Sequence, residues 1–352
     1  MFRTVMTVAA LTLASAPAFA GKSVKSQFYF DLYVKEVKSL YNGLKSYGLD
    51  SDTSYTYANS WVGKSVFGWD MTMGTTSSWL EDNPDIITNG FTTGSVEDEW
   101  AAGWTGKGIR IQVRDSYNSE MQACNPYQTV CIEATHGELV ARIAGGVTDG
   151  EAGIAPEAKI KQVSQNSKWK GIGDDIEIMN MSYGQWQPNG GTDWGIRHNL
   201  NKMHKSEDAR GTLIVTSAGN MGDFSHNDRI NNGILKSKYK STTLIVGALN
   251  TNDDNLANWS NKAGKHKWNF VVDKGLAQFS NGEQFGGTSA AAPMVSGKAA
   301  LMMQKYPELT AKQTARLIKY TATDLGAKGV DSVYGYGQIN LTKAMSPFGN
   351  IN

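Results

Sequence analysis

Cysteine is scarce: Cys124 and Cys131 are the two in a chain of 352 residues. Two thiols are too few to suggest a zinc site on their own, and none is read from them. An excess of charge of one sign is missing too. Thirty-four Lys and Arg stand against 33 Asp and Glu, for a net +1. No basic block is dense enough to make nucleic acid or an anionic membrane surface the main partner. Beyond the first twenty residues no run approaches the ~18 apolar residues that a bilayer span requires. There is no internal repeat and no low-complexity tract. Four of the histidines, His198, His204, His226 and His266, fall in polar or loop-like stretches without metal-ligand spacing and read as surface residues. What remains is an ordinary globular composition, 40% hydrophobic and 19% charged, long enough for one large domain and a smaller appendage.

The N-terminus carries its own signal. In "MFRTVMTVAALTLASAPAFA" Arg3 supplies a positive start, Val5 to Ala14 an apolar core, and Ala18-Phe19-Ala20 a small-x-small cleavage site. Residues 1–20 are therefore read as a signal peptide. The mature chain is expected to begin at Gly21 and to be exported, to a periplasm or out of the cell. An oxidising destination gives the thiols a meaning: Cys124 and Cys131 are close in sequence, have no other partner, and are expected to form a local disulfide.

Two textures follow. Residues 21–95 form an N-terminal region with apolar and aromatic residues at helical spacing from Phe28 to Leu44, then a Ser-, Thr- and Gly-rich stretch from Thr53 to Ser78. "TTGSVEDEWAAGWTGKG" reads as a loop leading into the next domain. From there, over 96–352, short β-type runs alternate with helical ones. "GIRIQVRD", "AKIKQVSQ", "IEIMNMSYG", "GTLIVTSAGN" and "TTLIVGAL" read as strands; "HGELVARIAGG", "DWGIRHNLNKMHKSEDA", "AAAPMVSGKAALMMQKY" and "TAKQTARLIKYTA" read as helices. That alternation predicts an α/β fold with a predominantly parallel sheet flanked by helices. The connection between "AKIKQVSQ" and "IEIMNMSYG" is short for a parallel crossover. A helix there is not expected, which leaves part of one face open or covered by something else.

In such sheets chemistry gathers where the strands' carboxyl ends meet loops. Four polar residues occupy such places: Asp115 ends a strand, His136 opens a helix, Asn220 follows a strand, and Ser289 opens a helix in "GGTSAAAPMV". Singly each has a plainer role. Ser289 or its neighbour could be an N-cap, Asp115 a turn cap, His136 a helix cap, and Asn220 a left-handed turn residue. Together, in the order Asp-His-Ser, they suggest acyl transfer. Ser289 would be the nucleophile, His136 the base, Asp115 its orienter and Asn220 an oxyanion donor.

"GKGIRIQVRDS", "HGELVARIAGG", "GIAPEAKI", "NMSYG", "SAGNMGD" and "GGTSAAAPMVSGKAAL" resemble, in order, blocks of the subtilisin-like serine proteases, and "YGYGQINLTKAM" resembles their closing segment. The resemblance covers about 96–345. It implies a seven-stranded parallel sheet, Asp115, His136 and Ser289 as catalytic residues, and Asn220 at the oxyanion hole. It further implies a cleft walled by Ser182-Tyr183-Gly184 and Ser217-Ala218-Gly219, with Met221 at the rim of the primary specificity pocket. Substrate would be peptide or protein bound as an added strand, and with no carboxylate seen near the pocket, large apolar residues are expected before the cleaved bond. No cofactor is required; calcium stabilises many members, and no acidic loop assigns a site for it. Residues 21–95 stand where the family carries a propeptide that inhibits the cleft until removed.

The chain also departs from the family. Tyr117 stands where a glycine is usual, and Glu138, Leu139 and Arg142 replace Thr, His and Gly after the histidine. These departures support a rival reading, a weak or inactive fold kept as a binding module.

Overall fold

A computed structural model describes residues 83, 86–92, 94–117, 134–167, 169, 176–203, 211–280 and 284–346. They belong, apart from Ser346, to a unit spanning Ser77–Met345. The signal peptide, the helical stretch 28–44, the stretch 53–78, both cysteines and the 170–175 connection lie outside the described residues.

The apolar runs do become strands. β1 is Arg110–Asp115, β2 Val147–Thr148, β3 Glu151–Ala152, β4 Lys159–Ser164, β5 Ile178–Met181, β6 Leu213–Ser217, β7 Thr243–Leu249, β8 Phe270–Lys274, β9 Leu276–Gln278 and β10 Gln284–Gly286. Six of them form one sheet in the order β4-β1-β5-β6-β7-β8, and every neighbouring pair is parallel. Among the described residues the main sheet is thus six-stranded rather than seven-stranded. β2 with β3 and β9 with β10 make two antiparallel pairs. The inner strands β5, β6 and β7 are buried at every position, as continuous apolar runs are when helices cover both faces. β4, at the margin, is largely exposed.

The helices are α1 (Ser95–Ala101), α2 (His136–Ala144), α3 (Trp194–Lys202), α4 (Arg229–Leu235), α5 (Thr288–Lys305), α6 (Ala311–Thr321) and α7 (Leu341–Met345). α5 runs beneath β5 to β8 alongside α2. Every residue from Thr288 to Met303 is buried, apolar or small except for Lys298, whose ammonium pairs with buried Asp273 at 2.7 Å. On the opposite face Leu200 and Met203, at the end of α3, and Ile230 and Ile234 of α4 pack with Met179, Met181 and Ile214 from the sheet. Trp169, from the connection expected to carry no helix, packs against that cluster and lies over the Arg114 guanidinium at 3.9 Å from the ring centre.

The expected loop before β1 is instead helical. In α1, Val96 and Trp100 sit one turn apart and are buried; the Trp100 indole N–H donates to the Ile154 carbonyl at 3.0 Å. Upstream, the Ile87 N–H donates to the Gly150 carbonyl (2.8 Å) and the Gly90 N–H to that of Gln278 (3.1 Å). Residues from Ile87 onward are therefore built into the same unit as the sheet. His266 is a second correction. It is buried, with its ring nitrogens 3.1 Å from Ser225 Oγ and 3.0 Å from Asn232 Oδ1. Burial, reinforced by nearby His226, pushes its pKa down to about 3. His198 is exposed, as expected; His204 lies outside the described residues.

Candidate active site

β1 delivers Asp115 to the carboxyl edge of the sheet, 1% exposed. Its Oδ1 accepts the Ser116 N–H at 2.7 Å and stands 2.7 Å from Nδ1 of His136. The imidazole is held from two more directions. α2 begins with a capping box in which Thr135 Oγ1 accepts the Glu138 N–H while the Glu138 carboxylate accepts the Thr135 N–H at 2.7 Å. This fixes the first turn, where His136 sits. The Phe285 ring of β10 then meets the imidazole edge to face, centroids 5.3 Å apart. A carboxylate on Nδ1 leaves Nε2 as the proton-accepting nitrogen.

The departures beside His136 acquire structural roles here. The Tyr117 hydroxyl donates to the Val113 carbonyl at 3.0 Å, and a Cβ at Gly137 would lie 2.6 Å from its ring, so Tyr117 is packed on the start of α2. Burial raises its pKa well above the usual phenol value. Glu138 is the capping-box acid. Arg142 donates to Glu151 Oε2 at 3.2 Å and lies over the Phe279 ring. None of these substitutions removes an Asp115–His136 contact.

On the other side, neither Thr288 nor Ser289 caps α5. The N-cap is Gly287, and no side chain accepts there. The Thr288 hydroxyl donates instead to Asn220 Oδ1 at 2.7 Å, the Thr288 N–H donates to the same atom at 2.9 Å, and the Gly219 N–H donates to the Thr288 hydroxyl at 3.1 Å. Two donors on Oδ1 orient the amide, because an N–H cannot be served by the NH₂ end. Nδ2 is left to face outward from an exposed residue. Gly287, at φ +122°, lets the chain pass: a Cβ there would sit 3.1 Å from that Nδ2. Ser289 follows in the first turn of α5, where backbone N–H groups have no intrahelical acceptor and the helix dipole is positive. Its hydroxyl donates to the Ser182 carbonyl at 3.0 Å. A hydroxyl carries one proton, so in this rotamer none is offered to His136.

The walls are braced by buried polar residues. Asn180, wholly buried, donates to Ser182 Oγ and accepts from Ser296 of α5. Asn231 donates to the Ser217 carbonyl at 3.0 Å. Asn261 does most for the second wall: Nδ2 donates to the Ala218 carbonyl, Oδ1 accepts from the Met221 and Asp223 N–H groups, and its own N–H donates to the Gly219 carbonyl. Gly219, at φ +99°, is required for this, since a Cβ would lie 2.5 Å from Asn261 Nδ2. Asp228 caps α4, accepts the Gln185 N–H and presses its carboxylate against Gly184. Burial raises its pKa to about 6, opposed by those backbone donors. Met221 is 58% exposed. Among the described residues no group of His, Cys, Asp or Glu could hold a metal ion, and no helix is long and apolar enough to cross a membrane.

Of the residues singled out in the sequence, the structure pairs Asp115 with His136 and places Asn220 beside Thr288, next to Ser289; Phe285, Asn261, Asp228 and Thr288's link to Asn220 had no notice there. These four act through tertiary approach and carry no local motif.

Comparison with known proteins bears on the family and the fold. The chain is 30% identical to the minor extracellular protease Epr of Bacillus subtilis over 69% of its length and 39% of that protein. It is 25% identical to an extracellular serine protease of Serratia marcescens over 72% of its length and 33% of that protein. The chain thus spans well under half of these two relatives. Against subtilisin DY of Bacillus licheniformis identity is 31%, over 59% of this chain and 77% of that one. A serine protease of Aeromonas sobria shares the fold with a TM-score of 0.54 at 18% identity, covering 70% of this chain and 61% of that one. The model of the subtilase family matches residues 105–337, and the chain belongs to that family.

Proposed function

We propose that the chain is a serine endopeptidase. The observation that carries the reading is the 2.7 Å pairing of Asp115 with Nδ1 of His136 at the carboxyl edge of the sheet, on the side where the first turn of α5 presents Ser289. In this reading Ser289 turns its hydroxyl from the Ser182 carbonyl to His136 Nε2. Oγ then attacks the scissile carbonyl carbon as Nε2 takes its proton, and the carbonyl π electrons move to oxygen. The Asn220 Nδ2 and the Ser289 N–H receive that oxyanion. Collapse of the tetrahedral intermediate breaks the C–N bond as His136 protonates the leaving amine. Water repeats the sequence on the acyl-enzyme. Asp115 orients the imidazole and steadies the imidazolium.

Peptide is accepted as a strand between Ser182–Gly184 and Ser217–Gly219. Residues before the cleaved bond are large and apolar: Asp223 serves Trp186 and Asn227, and Asp228, the buried carboxylate at the wall, is committed to backbone donors. Neither is left for a substrate cation, whose burial unpaired would be costly. The protein is exported, and its N-terminal region inhibits the cleft until removed. Because Ile87, Gly90 and Trp100 are tied into the catalytic unit, removal ends upstream of Ile87.

Fluorophosphonate labelling of the purified mature protein tests the chemistry. Wild type should be labelled and Ser289→Ala should not; an unlabelled, folded wild type would sink the proposal. The same pair of proteins tests maturation, since Ser289→Ala should retain a longer N-terminus.

A further inference from the structure

The other end of the sheet carries a second candidate site. Lys240 and Ser241 precede β7, and Asn269 precedes β8, so they lie at the amino ends of parallel strands whose carboxyl ends bear the chemistry. Here a cavity of about 430 Å³ is lined by five cations, Lys238, Lys240, Lys312, Arg316 and Lys319. Among the described residues no carboxylate lines it. Three of the cations are one face of α6, at i, i+4 and i+7, and that helix, AKQTARLIKYT, contains no acid. Like charges at this spacing work against an isolated helix. Lys319 shows the strain: burial, with Arg316 adding to it, lowers its pKa.

The rest of the lining is aromatic and polar. Trp268 is 58% exposed and Tyr320 70%. Both meet Tyr336 edge to face, at 71° and 84° between ring planes. The Lys319 ammonium donates to the Trp268 carbonyl at 3.3 Å, and the buried Asn269 amide donates to the carbonyls of Lys240 and Thr243. The site is therefore braced from three segments of the chain rather than being a loose fringe of lysines.

We infer that this cavity binds an anionic saccharide, a sugar unit bearing sulfate, phosphate or carboxylate groups, away from the catalytic cleft. Several cations around one concavity call for a ligand with more than one anionic group. Exposed ring faces at the mouth offer apolar contact to the C–H face of a sugar ring. A single-stranded nucleic acid would want successive stacking platforms along a groove, whereas Trp268 and Tyr320 are each engaged edge to face with Tyr336.

The test titrates the full chain at low salt with a heparin-derived hexasaccharide, following tryptophan fluorescence and calorimetry. Maltohexaose, a dodecathymidylate and phosphatidylglycerol vesicles serve as separate arms. The hexasaccharide should bind at least tenfold more tightly than any other arm and weaken as salt rises. The double variant Lys312→Gln/Arg316→Gln and the single variant Trp268→Ala should each bind it at least tenfold more weakly. Both should melt within a few degrees of wild type, which separates lost binding from lost folding; a variant that does not fold is replaced by Lys240→Gln, with the same expectation. No hexasaccharide binding, equal binding of maltohexaose, tighter binding of oligonucleotide or vesicles, or undiminished binding by the folded variants would each overturn the assignment.

Discussion

Around Asp115 and His136 the chain departs from the subtilase pattern, while around Asn220 and Ser289 it keeps it. The difference lies in what holds each side. Beside His136 the contacts are made by side chains with room to exchange: Tyr117 fills the space over Gly137, Glu138 closes a capping box, and Arg142 finds Glu151. Around Asn220 the contacts are made by backbone at close approach, with Gly219 and Gly287 at φ values of +99° and +122° and a buried amide against one of them. One half can be rewritten by repacking; the other has no slack.

Breaking the strict half should therefore cost catalysis. Asn220→Ala is expected to lower kcat by roughly 10²–10³-fold, about 3–4 kcal/mol of barrier, with KM little changed. Steady-state kinetics on a small peptide substrate checks it, and an unaltered kcat would remove Asn220 from the oxyanion hole. Gly219→Ala should follow, at about 1–3 kcal/mol of backbone strain, seen as a lower melting temperature together with a lower kcat/KM. Should it behave as wild type, the rigidity argued for that wall is wrong.

Asp228 lies between the two regimes, a side chain bracing a backbone wall. Its folded pKa, about 6, is above the 3.8 of an ordinary aspartate. The native state thus holds the proton to higher pH than the unfolded chain does. The stability linked to this group is complete below about pH 4 and is lost as pH rises through 6, by at most about 1.4 kcal/mol per pH unit. Asp228→Asn should flatten denaturant-measured stability between pH 4 and 6; an unchanged slope would show that another group titrates there. The smallest effect belongs to the permissive half. Glu138→Ala should lower stability by about 1 kcal/mol or less and leave kcat near wild type, and a large loss of activity would mean that Glu138 does more than cap.

What could be read from the sequence follows the same line. Ser289 and Asn220 were legible because each sits in a short block whose small residues state the local geometry. The strands were legible where apolar residues run unbroken, as in β6 and β7. α1 was not, although Val96 and Trp100 one turn apart carried the signal, because seven residues beside several glycines look like a loop. β8 was missed because its short run FVVDK follows the polar KHKWN. Phe285, Asn261 and Asp228 gave no local sign, since their importance lies in what tertiary folding sets beside them. The same holds for the basic cavity. No stretch of sequence is densely basic, and the cations are gathered from segments that only the fold makes neighbours.

The strand order has a kinetic consequence. Arg110 pairs with Lys159 and Ile111 with Ile178, so the middle of the sheet forms only after long stretches of chain have closed upon themselves. Each closure gives up chain entropy before any contact offsets it. High contact order of this kind slows folding and leaves apolar strands such as β6 and β7 open to mispairing meanwhile. Refolding from denaturant should be slow even where the native state is stable, and whatever brings β1 and β5 together early will govern the yield of folded protein.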